Sequence, residues 1–294
     1  MLPFARYYHA APGLSCLATT RRLGFDHAQD AGRACRAHAA YRSKVLHFST
    51  GGHEIEINMP TRPALMDALR TRLRSKTGFR LATLNLDHLV KMRSDAGFGA
   101  AYAAHDLIVA DGRPIVWLSK LAARPVSLLP GSDLVLPLAQ LCASEGRGVA
   151  MIGSTDRALR DAAAFLQDAV PGLNICYSHA PPMGFDPAGD AAADVLGAAE
   201  AAGASLCFLA LGAPKQEMLA ARGATLAPSV GFASIGAGLD FLGGHQTRAP
   251  VWVRTFAMEW LWRALSSPRR MLPRYAMCFA ILPGLIGQAL RQRR

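Results

Sequence analysis

The residue best placed in this sequence to move a proton is Asp111. In DLIVADGRPIVW it sits between two strongly apolar stretches. Partial desolvation there would raise a carboxylate's pKa toward the range of a usable general base. Asp-Gly is equally an ordinary turn signal, so the residue alone decides nothing. A second polar cluster follows the uncharged run SLCFLAL at 205–211. After Gly212, Ala213 and Pro214, the residues Lys215, Gln216 and Glu217 arrive together in what reads as the first turn of a helix. A helix N-terminus offers N–H groups and the positive end of a dipole, so an anion is the ligand to expect beside Lys215.

Such residues need a scaffold that presents them on one edge. Apolar, strand-like runs occur at 81–84, 107–110, 149–152, 173–177, 205–211 and 230–235. Ala/Leu-rich segments with helical spacing lie between them, at about 63–75, 86–96, 132–145, 156–169, 187–202 and 215–227. This alternation predicts right-handed βαβ units and the α/β class: a Rossmann-like, mostly parallel sheet with helices on both faces. Ligands then bind at the carboxyl ends of the strands. Taken in order, those ends carry Thr83 and Asn85, then Asp111 and Gly112, then Gly153 with Ser154, then Gly212 with KQE, then Gly236, Gly238 and Asp240. The segment LLPGSDL adds Gly131, Ser132 and Asp133. Each is dismissible as turn chemistry; their convergence on one edge is harder to dismiss.

The formal charge of +11 is carried by the two ends of the chain. Residues 1–50 hold seven Lys/Arg against two acids, residues 51–247 sixteen against eighteen, and residues 248–294 nine Arg against one Glu. The predicted organisation follows that split: a poorly ordered extension over 1–50 with only a weak secretory signal, an α/β catalytic domain over 51–247, and a basic, aromatic-rich appendage over 248–294. In the appendage Trp252, Trp260 and Trp262 interleave with arginines ahead of an apolar block at 275–290 and a terminal RQRR. That block favours lipid over nucleic acid as the phosphate-rich partner, and Pro283 with Gly284 makes it a broken helix that lies on a membrane instead of spanning it. The six cysteines form no CxxC pair and fall mostly in apolar runs, as buried free thiols do.

IGAGLDFLGG fails the GxGxxG spacing and comes late in the chain, against nicotinamide binding. A nicotinamide-dependent Rossmann-type oxidoreductase is nevertheless the alternative that shares this sheet. A non-catalytic membrane-binding module shares the tail, but it gives no reason for polar residues on one strand edge. There is no P-loop, no GxSxG, no His/Cys ligand pattern and no Asp-x-Asp to hold a divalent ion on a nucleotide diphosphate. Assembled in order, TLN at 83–85, ADG at 110–112, PGxD at 130–133, GAPKQE at 212–217, GxGxD at 236–240 and RAP…EW…R…PxR…RY at 248–275 resemble the WecG/TagA/CpsF family of bacterial glycosyltransferases.

The resemblance implies inverting transfer of a sugar from a UDP-sugar to a polyprenyl-diphosphate-linked saccharide, in cell-surface or exopolysaccharide biosynthesis. The donor stays open among N-acetylmannosamine, its uronic acid and glucose. It implies no metal or other cofactor, and a peripheral place on the cytoplasmic face of the plasma membrane, where the appendage completes the site. Asp111 matches the family's proposed base, with Thr83 and Asn85 lining its pocket and Gln216 orienting a sugar or nucleotide hydroxyl. Lys215 stands near the diphosphate, and Gly112, Gly131, Asp133, Gly153, Gly212, Glu217, Gly238 and Asp240 fall in the substrate-binding stretches. Arg248, Arg263, Arg269 and Arg274 match arginines expected to meet phosphates. Self-association as a homo-oligomer, hiding apolar surface until lipid is met, is a further expectation.

Overall fold

Six apolar runs become one parallel sheet, in which β3 (Phe79–Leu84), β4 (Leu107–Ala110), β5 (Gly148–Gly153), β6 (Ile175–His179), β7 (Ala204–Ala210) and β8 (Gly231–Ser234) take the order β4-β3-β8-β7-β5-β6. The computed structural model describes residues 45–245 and 259–293. Alternate residues of each strand face opposite sides, as the pleat requires. Leu81, Val109, Val149, Met151 and Phe208 face α1 (Arg62–Arg74), α5 (Gly131–Ser144) and α6 (Asp156–Ala169). On the other side Ala82, Leu84, Ile108 and Ala110 pack under α2 (Leu86–Ser94), α3 (Ala96–Ala103) and α4 (Arg113–Leu121). Further along that face Ala150, Ile152, Cys207 and Phe232 meet α7 (Asp190–Ala201) and α8 (Lys215–Leu226). The expected α/β architecture is therefore present.

Topology fixes where a ligand fits. From β3 the chain turns to α2 on one face, whereas from the neighbouring β8 it turns to the short α9 (Gly238–Leu242) on the other, where Leu239 joins the opposite core. Loops that leave adjacent strands in opposite directions open a crevice at their carboxyl ends. Thr83, Asn85, Gly236 and Asp111 all belong to the loops or strand ends of this region.

Two features depart from the sequence expectations. The last residues of the supposed N-terminal extension form β1 (Leu46–Thr50), an antiparallel partner of β2 (His53–Ile57). Leu46, Phe48, Ile55 and Ile57 bury one side of this hairpin, so the boundary placed after residue 50 falls inside its turn. Residues 1–44 and the boundary at 247/248 lie outside the described residues. The appendage contributes α10 (Glu259–Ser266) and α11 (Pro268–Gln292), and α11 is one helix of 25 residues despite Pro273 and Pro283 inside it. A proline removes one backbone hydrogen bond. Burial of Ile281, Leu285 and Ala289 against the α2–α4 core offsets that loss. No described helix is long and apolar enough to cross a membrane.

Candidate active site

Asp111 follows the last residue of β4, half-buried, with its backbone N–H donating to the Leu84 carbonyl at 2.7 Å. This bond draws the end of β4 against the end of β3. It sets the Asp111 carboxylate beside Asn85, whose Nδ2 lies 3.4 Å from Asp111 Oδ2. Asn85 is the N-cap of α2 in an extended conformation, and its Oδ1 accepts the His88 N–H at 3.1 Å. Capping satisfies one of the helix's otherwise unpaired donors and fixes which end of the amide is which. Thr83, buried one pleat earlier, reaches across to β8, where its Oγ1 donates to the Ser234 carbonyl at 3.4 Å. Gly112 begins α4 at φ +97°, a conformation only glycine adopts cheaply, and it turns the chain sharply away from the carboxylate.

The opposite wall is the start of α8. Lys215, its first residue, is half-buried. Gln216 is buried and its amide is bonded internally: Oε1 accepts the Gly236 N–H at 3.1 Å and Nε2 donates to Glu217 Oε1 at 2.8 Å. The Gln216 amide, for which a hydroxyl-orienting role is expected, clamps the loop after β8 to α8. Glu217 has no exposed surface, and burial pushes its carboxyl up to about 7 although the Gln216 bond pulls the other way. Its Oε2 has no hydrogen-bond partner among the described residues. The first turn of α8 is also partly closed by the chain itself. Gln216 N–H donates to Gly212 O at 3.2 Å and Met218 N–H to Pro214 O at 3.1 Å.

A row of charge links α2 to α11 and to the loop before α8. Asp87 in the first turn of α2 pairs with Lys91 at 3.0 Å and Arg274 of α11 at 2.6 Å, and Lys91 also donates to Ala213 O at 3.0 Å. Burial pushes the Asp87 carboxyl up, but the Arg274 and Lys91 hydrogen bonds outweigh it and leave its pKa below the ordinary value. Arg274, expected to meet a phosphate, is thus engaged by a carboxylate. Arg269 is exposed, while Arg248 and the side chain of Arg263 lie outside the described residues.

The remaining sequence candidates stand at the starts of α5 and α9 and at the ends of β5 and β7. Gly131 opens α5, where a Cβ would stand 2.9 Å from both Cα and O of Ile235. Asp133, in the same first turn, donates its N–H to Pro130 O at 2.9 Å. Gly153 has φ +125°, and a Cβ there would lie 2.4 Å from the Ala210 carbonyl oxygen. Next to it the Ser154 hydroxyl donates to Asp240 Oδ1. Gly238 packs on Val135 at the start of α9, and Gly212 has φ +70° with open space where a side chain would point.

Sequence reasoning missed an aromatic cluster behind Asn85. His88, Phe98, Tyr102 and His105 meet edge-on or tilted at ring-centroid separations of 5.5 to 6.0 Å. Burial drives His88 down to about 3 and His105 to about 4, so both imidazoles are neutral at physiological pH. The signal available was position: His88 is the third residue of a helix capped by a candidate site residue.

A doubly wound sheet with a carboxylate, an amide and a lysine on its carboxyl edge defines an α/β protein built to bind and act on a polar ligand there. The chain belongs to the glycosyl transferase WecG/TagA/CpsF family, whose model matches residues 52–294. It is a glycosyltransferase accordingly. Among its relatives is the N-acetylglucosaminyldiphosphoundecaprenol N-acetyl-beta-D-mannosaminyltransferase of Bacillus spizizenii strain W23. The two are 27% identical over 212 residues, which cover 70% of this chain and 80% of that protein.

Proposed function

We propose that this protein transfers N-acetylmannosamine from its UDP conjugate to an N-acetylglucosamine carried on a polyprenyl diphosphate, with inversion at the anomeric carbon. The observation that carries the mechanism is the approach of Asn85 Nδ2 to Asp111 Oδ2, which orients a half-buried carboxylate at the crevice edge. The substrate pair is supported by the relative's activity and by the family.

The acceptor hydroxyl oxygen attacks the anomeric carbon while the bond from that carbon to the UDP oxygen breaks. Asp111 takes the hydroxyl proton as general base. The charge that develops on the departing diphosphate is met by Lys215 at the start of α8 and by Arg269, which is exposed. The sequence has no Asp-x-Asp to hold a divalent ion on a nucleotide diphosphate. The reading therefore gives the cationic side chains the part a divalent ion plays elsewhere. Exposed Leu265, Leu272, Met277, Phe279, Ile286 and Leu290 on α10 and α11 would rest in the headgroup region of the cytoplasmic leaflet and bring the site to its lipid-borne acceptor.

Asp111→Asn is the deciding variant. Transfer from UDP-N-acetylmannosamine to the lipid-linked acceptor, assayed with vesicles and a chelator, should fall at least a hundredfold while UDP still raises the melting temperature. Turnover retained in Asp111→Asn would remove this carboxylate from the reaction. Wild-type dependence on added divalent ion would overturn the metal-free mechanism.

A further inference from the structure

The Asn85 amide carries two hydrogens on Nδ2, and the structure gives both a destination. One lies toward Asp111 Oδ2 at 3.4 Å; the other lies toward His88 Nε2 at 3.5 Å. Both contacts are long, and hydrogen bonds in catalytic sites commonly tighten only around substrate. Because Asn85 Oδ1 is committed to the His88 backbone N–H, the amide cannot turn over without breaking the α2 cap. His88 Nε2 must then accept, which places the ring proton on Nδ1. That nitrogen lies 3.4 Å from the Tyr102 hydroxyl oxygen, which accepts from it.

We infer that His88 is a positioning residue for the transfer reaction: its neutral Nε2, backed by Tyr102, holds one Asn85 amide hydrogen and so directs the other at the Asp111 carboxylate. The inference rests on Asp111 as the base. Packing alone does not require an imidazole here. His88 sits edge-on to Phe98 and tilted on Tyr102, an environment a phenyl ring would fill at less desolvation cost. An imidazolium would set N–H against N–H at Asn85, and burial keeps the ring from taking that proton. The charged or titratable groups around it are Asp87 and Lys91 of its own helix, Arg274 of α11, and Tyr102 and His105 at and just beyond α3. Asp87 alone favours protonation, and burial outweighs it.

Two measurements test this, one of them independent of the substrates. Long-range proton–nitrogen NMR correlation on histidine-labelled protein should show His88 neutral at pH 7 with the proton on Nδ1. A proton on Nε2 would overturn the inference outright. In the transfer assay, His88→Phe should lower kcat at least tenfold with little change in the donor KM, and His88→Gln, whose Oε1 can accept from Asn85, should return to within about threefold of wild type. If His88 works through Asn85, the Asn85→Ala/His88→Phe double variant should be no slower than Asn85→Ala, within about twofold. Additive losses, or a His88→Phe enzyme at wild-type kcat, would sink the proposal. Failure of the base assignment reads differently: Asp111→Asn would then keep its turnover, whatever His88 does.

Discussion

Glu217 is a carboxyl held without exposed surface between Gln216 and the interior, and its protonation is written into the stability of the molecule. Its folded pKa of about 7 lies above the ordinary 4.5, because burial opposes the charge more than the Gln216 bond and the charge of Lys91 relieve it. A group raised in this way contributes stability that is full below about 4.5 and is lost as the pH climbs through about 7. The span corresponds to something on the order of 3 kcal/mol. His88 and His105 act in the opposite sense. Their folded values of about 3 and 4 make their contribution complete above 6.5 and lost on acidification. Glu217→Gln should therefore gain stability over wild type at pH 8 and lose most of that advantage at pH 5, by denaturant unfolding at both values. Equal differences at the two pH values would show that the carboxyl is ionised throughout. Asp111 and Lys215 were legible in the sequence because each follows an apolar strand run with glycine close by, and Asn85 because it directly follows such a run. The states of Glu217 and His88 were not, because burial decides them, and burial comes from the packing of α3 and α8 over residues distant in the chain.

Glycine contacts set the spacing of the elements that carry the site. Gly131 starts α5 directly against the backbone of Ile235, one residue beyond β8, and no flexible side chain is there to give way. Gly131→Ala should thus cost about 1–3 kcal/mol, as overpacking against rigid neighbours does, and push the loop after β8 off its Gln216 clamp. The check is a lowered melting temperature together with lowered transfer. A variant with unchanged melting temperature would mean that α5 shifts freely. The βαβ alternation was readable, since buried parallel strands are continuous apolar runs and their helices are Ala/Leu-rich. Other elements were hidden for physical reasons. The segment AGFGAAYA of α3 has two glycines and no amphipathic stripe, and it is helical because Phe98 and Tyr102 are wholly buried. The hairpin of β1 and β2 alternates over only five residues a strand, too short to stand out. In α11 the prolines read as a break, whereas tertiary packing overrides local propensity.

At the scale of the molecule, α11 is both part of the core and part of the surface. Ile281, Leu285 and Ala289 are buried, while Leu272, Met277 and Phe279 are exposed. Deleting residues 248–294 would therefore damage the fold along with any lipid contact, and surface substitution is the cleaner probe. Leu272→Glu with Phe279→Glu should leave the melting temperature within a few degrees of wild type and reduce flotation with anionic vesicles severalfold. Undiminished flotation would move the membrane contact off this face.

The last turns of α11 also touch β1 in an unusual way. Gln288 Oε1 accepts the Ser49 N–H at 2.9 Å and its Nε2 donates to Ser49 O at 3.0 Å; Gln292 does the same for the His47 N–H and carbonyl at 3.1 and 2.5 Å. Two side-chain amides one helical turn apart thus imitate a neighbouring strand along the free edge of the hairpin. An open edge is a template for pairing between chains. Loss of those turns would bare a row of adhesive backbone groups, and a chain cut short of residue 288 should precipitate for want of that cover.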